Sequence, residues 1–313
     1  MNLKTIEAQG IHLRYADNLI LNNVSFSLDS NKVYGIFGQS GVGKSSLLNI
    51  LAGIQNPSSG SILLQGKQMP YSSNLLVPGY PEVELVSGNN HLDVNHSCLE
   101  NIRESILGWP NLLREARVQE LLDIMGLQEV SAVKAKWLSE GEKQRLNFAR
   151  ALAKKPSWVL LDEPFAHLDY LTKVKMMGYV KTLQELDPFG MVMVTHEIQE
   201  IMMFCQQLAV IDERGNFHAF VDKNLRYFDL KNIHLARLMG PVNEVLWKNE
   251  KIVFRPTSFE LCKDGINLKR NQVYFNGMVH VHFFTSSNNE EIILYYCRAL
   301  PEEITIKPTF DEK

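Results

Sequence analysis

Short, unbroken apolar runs recur through the first 225 residues, at 33–37, 158–161, 191–195 and 208–212, and each ends in polar side chains. Runs this short and continuous predict strands buried on both faces, the kind that parallel sheets contain. Residues 3–28 predict strands broken at Ala16-Asp17-Asn18, and 60–66 a further strand with glycine at both ends. Helical spacing appears at 47–52, at 146–153, and in Leu112, Leu113, Val118, Leu121, Leu122 and Met125 among Arg and Glu. Alternating strands and helices predict an α/β core with a largely parallel sheet, into which a helical subdomain is inserted at about 89–140. Beyond residue 230 the pattern changes: 252–261 and 272–284 predict strands, with a turn at 285–289. The expected organisation is a first domain over 1–229 and a small β domain over 230–313.

Composition narrows the function classes. The 313 residues carry 35 acidic and 32 basic side chains, 45% apolar and 21% charged residues, which suits a folded chain and excludes a disordered one. No run of five or six Lys or Arg occurs, so no nucleic-acid partner is expected. Cys98, Cys205, Cys262 and Cys297 form no CxxC, which predicts reduced thiols without a zinc site or disulfide framework. Lys4 and Glu7 stand where a signal peptide needs an apolar run, and no stretch reaches the roughly 18 apolar residues of a membrane span.

Candidate chemistry begins at 38–45, GQSGVGKS, which fits G-x-x-x-x-G-K-[ST] between a predicted strand and a predicted helix. In such a loop, made here by Gly38, Gln39, Ser40, Gly41, Val42 and Gly43, the glycines let successive backbone N–H groups aim at one phosphate. The helix N-terminus adds its positive dipole end. Lys44 supplies a point charge to the β and γ phosphates, Ser45 a hydroxyl suited to Mg²⁺, and Ser46 continues the helix beside it. A nucleoside triphosphate site is expected, and the absence of N-K-x-D after the loop disfavours a GTPase. The strand at 158–161 then delivers Asp162 and Glu163 to its carboxyl end, where parallel sheets gather ligands. Asp162 suits the magnesium shell, and Glu163 suits orienting and polarising an attacking water, although an apolar strand ending in Asp-Glu also occurs for purely structural reasons.

Leu138-Ser139-Glu140-Gly141-Glu142-Lys143-Gln144-Arg145 lies about twenty residues before that strand and resembles the signature of the ATP-binding subunits of ABC transporters, L-S-G-G-Q. Leu138, Ser139 and Gly141 are kept, while Glu140 and Glu142 replace one glycine and the glutamine. The resemblance spans residues 1 to about 225 and implies an α/β P-loop NTPase fold of ABC type with a helical subdomain, plus the small C-terminal β domain. It implies ATP hydrolysis with Mg²⁺, with Lys44, Glu163 and His196 catalytic, His196 being similar to the family's γ-phosphate switch histidine. It also implies that Ser139, Gly141 and Glu142 cap the ATP of an opposite subunit in a homodimer. Tyr15, 23 residues before Gly38, matches the aromatic that stacks on adenine, although a lone strand Tyr is also an ordinary core residue. Ala166-His167-Leu168-Asp169 resembles the loop that crosses the dimer interface, which places Asp169 among the nucleotide contacts.

One departure stands out. Gly88 falls where the family has a glutamine that touches magnesium and couples to the membrane partner, and Asn89 and Asn90 are either a shorter substitute or turn residues. The segments at 237–244 and 253–256 loosely resemble the entry to the β-barrel appended to some importer ATPases. The expected partners are therefore an integral-membrane permease, a second copy of this chain and an extracytoplasmic solute-binding protein, with a cytoplasmic location on the inner face of the membrane. The rival readings are a soluble ABC-type ATPase and a slow ATP-dependent switch. His280 and His282 share one strand face, which reads as a metal pair or as alternation in a half-exposed strand.

Overall fold

β1 (Thr5–Tyr15) and β2 (Asn18–Asp29) pair as an antiparallel hairpin whose turn puts Ala16 at φ +51°. β3 (Val33–Phe37) follows, buried at every position, and leads through the glycine loop into α1 (Lys44–Leu51). In this computed structural model residues 4–87, 92–166 and 168–309 are described, and the chain divides into a unit over 1–223 and a unit over 224–313.

The first unit continues with β4 (Ser59–Leu64), β5 (Lys67–Gln68), β6 (Val83–Ser87), α2 (Cys98–Ser105), α3 (Asn111–Ile124) and α4 (Glu140–Ala153). β7 (Trp158–Asp162), α5 (Tyr170–Leu186), β8 (Gly190–Thr195), α6 (Ile198–Phe204), β9 (Gln207–Ile211) and β10 (Phe217–Asp222) complete it. One sheet has the order β2-β1-β4-β5, and the other runs β10-β9-β3-β8-β7-β6 with only β10 antiparallel to its neighbour. Apolar side chains of both sheets and of α1, among them Ile6, Ile36, Leu47, Leu160 and Val194, form one buried cluster.

The helical insertion expected from the spacing is present as α2 and α3. α2 is started by a capping box in which Ser97 and Glu100 exchange hydrogen bonds. Arg117 of α3, only 4% exposed, bonds the Leu152 carbonyl at the end of α4 and pairs with Asp187 at 2.8 Å, so the insertion is bolted to the core. The strand expected at 208–212 begins and ends one residue earlier, as β9.

In the second unit, α7 (Lys223–Phe228) and α8 (Ile233–Leu238) precede the hairpin of β11 (Asn243–Trp247) and β12 (Glu250–Phe254). β13 (Phe259–Phe275), β14 (His280–Ser286), β15 (Glu291–Tyr296) and β16 (Glu303–Pro308) form a sheet of order β15-β14-β13-β16. Two sequence expectations change here. The run at 252–261 is broken, because Arg255 turns inward to donate to the carbonyls of Tyr227, Gly240 and Pro241, and Pro256 follows it. The run at 272–284 is two strands, divided where Asn276 caps a turn by accepting from Met278 and Val279 amides.

His282 is fully buried rather than half-exposed, stacked on Phe284, with its Nε2 3.3 Å from both the Leu300 amide and the Arg298 carbonyl and its Nδ1 without a partner. Among the described residues no group of three His, Cys, Asp or Glu could hold a metal. Burial holds the His282 imidazole below its ordinary pKa, so the unfolded chain binds more proton than the folded one. Stability is therefore lost as pH falls through the ordinary histidine value of about 6.5. The melting temperature of the full chain is expected to drop less between pH 7.5 and 5.5 in His282→Phe than in the parent; an identical drop would remove His282 from the acid response.

Candidate nucleotide-binding site

Three parallel strands deliver the site. β3 lies beside β8 and β8 beside β7, with Phe37 opposite Thr195 and Asp162 opposite Val194. Their carboxyl ends consequently place the loop at 38–45, the pair Asp162 and Glu163, and His196 next to one another.

Gly43 caps α1 at φ +99°, and a Cβ there would lie 2.7 Å from the Ile20 side chain. Gly41 has φ +85° with open space where its side chain would be. No side chain caps α1, so its first-turn N–H groups are left as donors for an anion. The Lys44 ammonium is 5% exposed, donates to the carbonyls of Gly38 and Gln39 at 2.8 and 2.9 Å, and lies 3.7 Å from Glu163. Burial lowers its pKa, while Glu163 and Asp162 oppose that shift. Ser45 Oγ donates to Asp162 Oδ1 at 2.9 Å. Burial raises the Asp162 pKa against that hydrogen bond. Gln39 also reaches Glu213 at 3.0 Å.

Glu163 stands one residue beyond β7 at φ +48°, its amide donating to the Val194 carbonyl at 3.0 Å. One carboxylate oxygen meets His196 Nδ1 at 2.7 Å while the other faces Lys44. A carboxylate, a histidine and an ammonium thus surround the mouth of the glycine loop. Behind His196, the Thr195 hydroxyl donates to Glu200 at 2.7 Å, and Lys173 of α5 binds Glu200 at 2.6 Å and Glu197 at 2.9 Å. Burial pulls the Lys173 pKa down, but these hydrogen bonds outweigh it and hold the ammonium above its ordinary value. This network was not visible in the sequence, because its members lie 24 and 27 positions apart.

Tyr15, at the end of β1, is 52% exposed and accepts a hydrogen bond from Gln55, so its ring is free for stacking rather than a core residue. The partner strand β2 packs Ile20 against Gly43, which brings this hairpin to the loop. Among the described residues no hydrogen bond joins Ser139, Gly141, Glu142 or Asp169 to the 38–45 loop. Ser139 caps α4, and both its amide and hydroxyl donate to Glu142 at 2.8 Å, which holds the Glu142 carboxyl below its ordinary pKa. The S-x-x-E spacing that announces this capping box was present in the sequence. Asp169 likewise caps α5 through Thr172. Gly88, Asn89, Asn90 and His167 lie outside the described residues.

The sequence profile described as ABC transporter matches residues 21–166. The taurine import ATP-binding protein TauB of Pseudomonas aeruginosa is 35% identical over 193 residues, 62% of this chain and 72% of that protein. The spermidine/putrescine import ATP-binding protein PotA of Legionella pneumophila, strain Philadelphia 1, is 29% identical over 245 residues, 78% of this chain and 66% of its own length. The solved structure of cbiO1 from Clostridium perfringens, part of the ABC transporter complex cbiONQ, shares the fold with a TM-score of 0.63 at 24% identity, covering 75% of this chain and 98% of that one. The chain therefore belongs to the ABC transporter family as one of its ATP-binding subunits.

Proposed function

We propose that this chain hydrolyses ATP and thereby powers solute uptake through a separate integral-membrane permease, acting as a homodimer with two ATP molecules between head-to-tail subunits. The observation that carries the reading is the Glu163 carboxylate held between His196 and Lys44 at the mouth of the glycine loop. In it, the loop amides and Lys44 bind the phosphates, Tyr15 stacks on the base, and Glu163 takes the proton of the attacking water while His196 orients the γ-phosphate. Ser139, Gly141 and Glu142 face the nucleotide of the opposite copy, with Asp169 near the same interface.

Ser45 and Asp162 fit Mg²⁺, since a hydroxyl and a carboxylate 2.9 Å apart are the hard oxygen donors that ion takes. Bound there, it would neutralise charge on the β and γ phosphates. No helix among the described residues is long and apolar enough to cross a membrane. A cytoplasmic location against the permease, together with an extracytoplasmic solute-binding protein, accords with relatives named as import proteins. The same names disfavour a soluble ATPase that acts apart from transport.

The test is reconstitution: the chain purified with its membrane partner should hydrolyse ATP only with Mg²⁺ and faster in the complex than alone. Recovery on ribosomes or DNA instead, with no membrane protein bound, would sink the transport reading.

Within this scheme Lys173 holds the switch segment from behind. Lys173→Met strips the counter-ion from Glu200, which is only 3% exposed, and is expected to cost about 3–5 kcal/mol of stability. Hydrolysis should fall while ATP affinity stays constant, because Lys173 contacts Glu197 and Glu200 rather than the loop. Thermal melts and calorimetric titration check both halves, and a weakened ATP affinity would contradict the second.

A further inference from the structure

Glu163 occupies a left-handed backbone conformation, φ +48°, which is costly for a non-glycine residue and persists only when its surroundings over-determine it. The strain is compounded by Pro164, since the residue before a proline is confined toward extended conformations. Among the described residues, three hydrogen bonds hold this turn. The Glu163 amide donates to Val194 at 3.0 Å, the Glu163 carbonyl accepts from Ala166 at 3.3 Å, and the Pro164 carbonyl accepts from the side-chain amide of Gln144 at 2.6 Å. The first comes from the neighbouring strand and the second from the turn itself. Only the third comes from α4, the helix whose first turn holds Ser139 and Gly141.

Proline has no N–H, so the Pro164 residue offers the backbone one polar group, its carbonyl. Pro164 is buried, and Gln144 is 8% exposed, so neither group has water as a ready substitute. Gln144 sits five residues past the cap Ser139, about 7.5 Å along the helix axis at 1.5 Å per residue. One turn further along the same helix, Asn147 donates to the Ser87 carbonyl at 3.1 Å, at the end of β6. α4 is therefore pinned at the end of β6 and just beyond β7, and Gln144 is the pin that reaches the peptide next to the base.

We propose that Gln144 is a positioning residue for Glu163: it fastens the Glu163–Pro164 turn to the signature helix, so that the carboxylate that activates water moves with the segment that caps the opposite nucleotide. The inference rests on the proposed roles of Glu163 and Ser139, and its test separates the two. Gln144→Met keeps the length of the side chain and removes the donor. It should lower kcat for Mg²⁺-ATP ten- to a hundredfold with KM within twofold of the parent, per molecule competent to bind ATP by titration. In a Glu163→Gln background, where the base is already gone, adding Gln144→Met should leave the residual single-turnover rate unchanged. Gln144→Glu supplies a donor only when protonated, so its rate relative to the parent should rise as pH falls.

Undiminished hydrolysis in Glu163→Gln alone would end the reading of Glu163 as base. A Gln144→Met rate within twofold of the parent overturns the positioning role, as does an equal proportional loss with and without the Glu163 carboxylate. A pH-independent ratio for Gln144→Glu likewise counts against it.

Discussion

Glu163→Gln is expected to reduce ATP hydrolysis about a thousandfold while leaving ATP binding intact, within the 10²–10⁴ range that positioned general bases contribute. Glutamine has nearly the shape of glutamate, so the left-handed backbone at φ +48° and its amide bond to Val194 impose no new constraint on the variant. An amide still accepts a hydrogen bond from water, and it still reaches His196, which stands 2.7 Å from the native carboxylate. It cannot take the proton. Binding should hold or tighten, because the substitution removes a negative charge 3.7 Å from Lys44, on the side from which a triphosphate approaches. The proposed sandwich dimer should then accumulate, since hydrolysis is the step that opens it. Single-turnover chemistry, calorimetric ATP titration and light scattering in ATP measure the three effects separately. A rate within tenfold of the parent would remove Glu163 from the base role, and protein that stays monomeric in saturating ATP would count against the shared site.

What was legible in the sequence was local. The glycine loop, the carboxylate pair and His196 each follow a short apolar strand, and the strand order β3-β8-β7 brings those strand ends together. The signature helix was legible by its resemblance, yet its first turn held more than was read there, since Glu142 closes a capping box on Ser139. In the proposed dimer that carboxylate engages the same Ser139 hydroxyl and amide that face the opposite nucleotide, so the Ser139 side chain must release Glu142 before it can donate elsewhere. What was not legible was built from distant partners. Lys173 finds Glu197 and Glu200 two dozen residues on, and Gln144 finds Pro164 twenty residues on, because packing of α4 and α5 on the sheet brings them together. The inward turn of Arg255 has the same origin: its acceptors lie 14 to 28 residues away, so the apolar pattern at 252–261 gave no sign of the break. Periodicity reports which face of an element is buried, and it carries no information about which polar groups meet across elements.

Lys44→Ala is expected to weaken ATP binding by roughly one to two orders of magnitude, since a hydrogen bond to a charged group is worth about 1.5–3 kcal/mol and each 1.4 kcal/mol is tenfold. Before nucleotide arrives, the ammonium bridges the carbonyls of Gly38 and Gln39, which closes the loop on itself and aims the charge at its centre. Phosphate oxygens then replace the carbonyls as acceptors, so the cation is already desolvated and placed, and little reorganisation opposes binding. Alanine loses the phosphate charge and the loop closure together. Lys44→Arg is not expected to rescue, because a planar fork does not fit a 5% exposed point-charge position between two carbonyls. The substitution also has a signature without nucleotide. Burial already raises the Asp162 pKa and Lys44 opposes that shift, so removing the ammonium raises it further. A carboxyl whose folded-state pKa lies above its unfolded value holds its proton better when folded, and its stabilising contribution is lost as pH rises through that range. The melting-temperature deficit of Lys44→Ala relative to the parent should therefore be larger at pH 7.5 than at pH 5. Calorimetry showing unchanged ATP affinity would remove Lys44 from the phosphate site. A deficit independent of pH would show that its ammonium does not support Asp162.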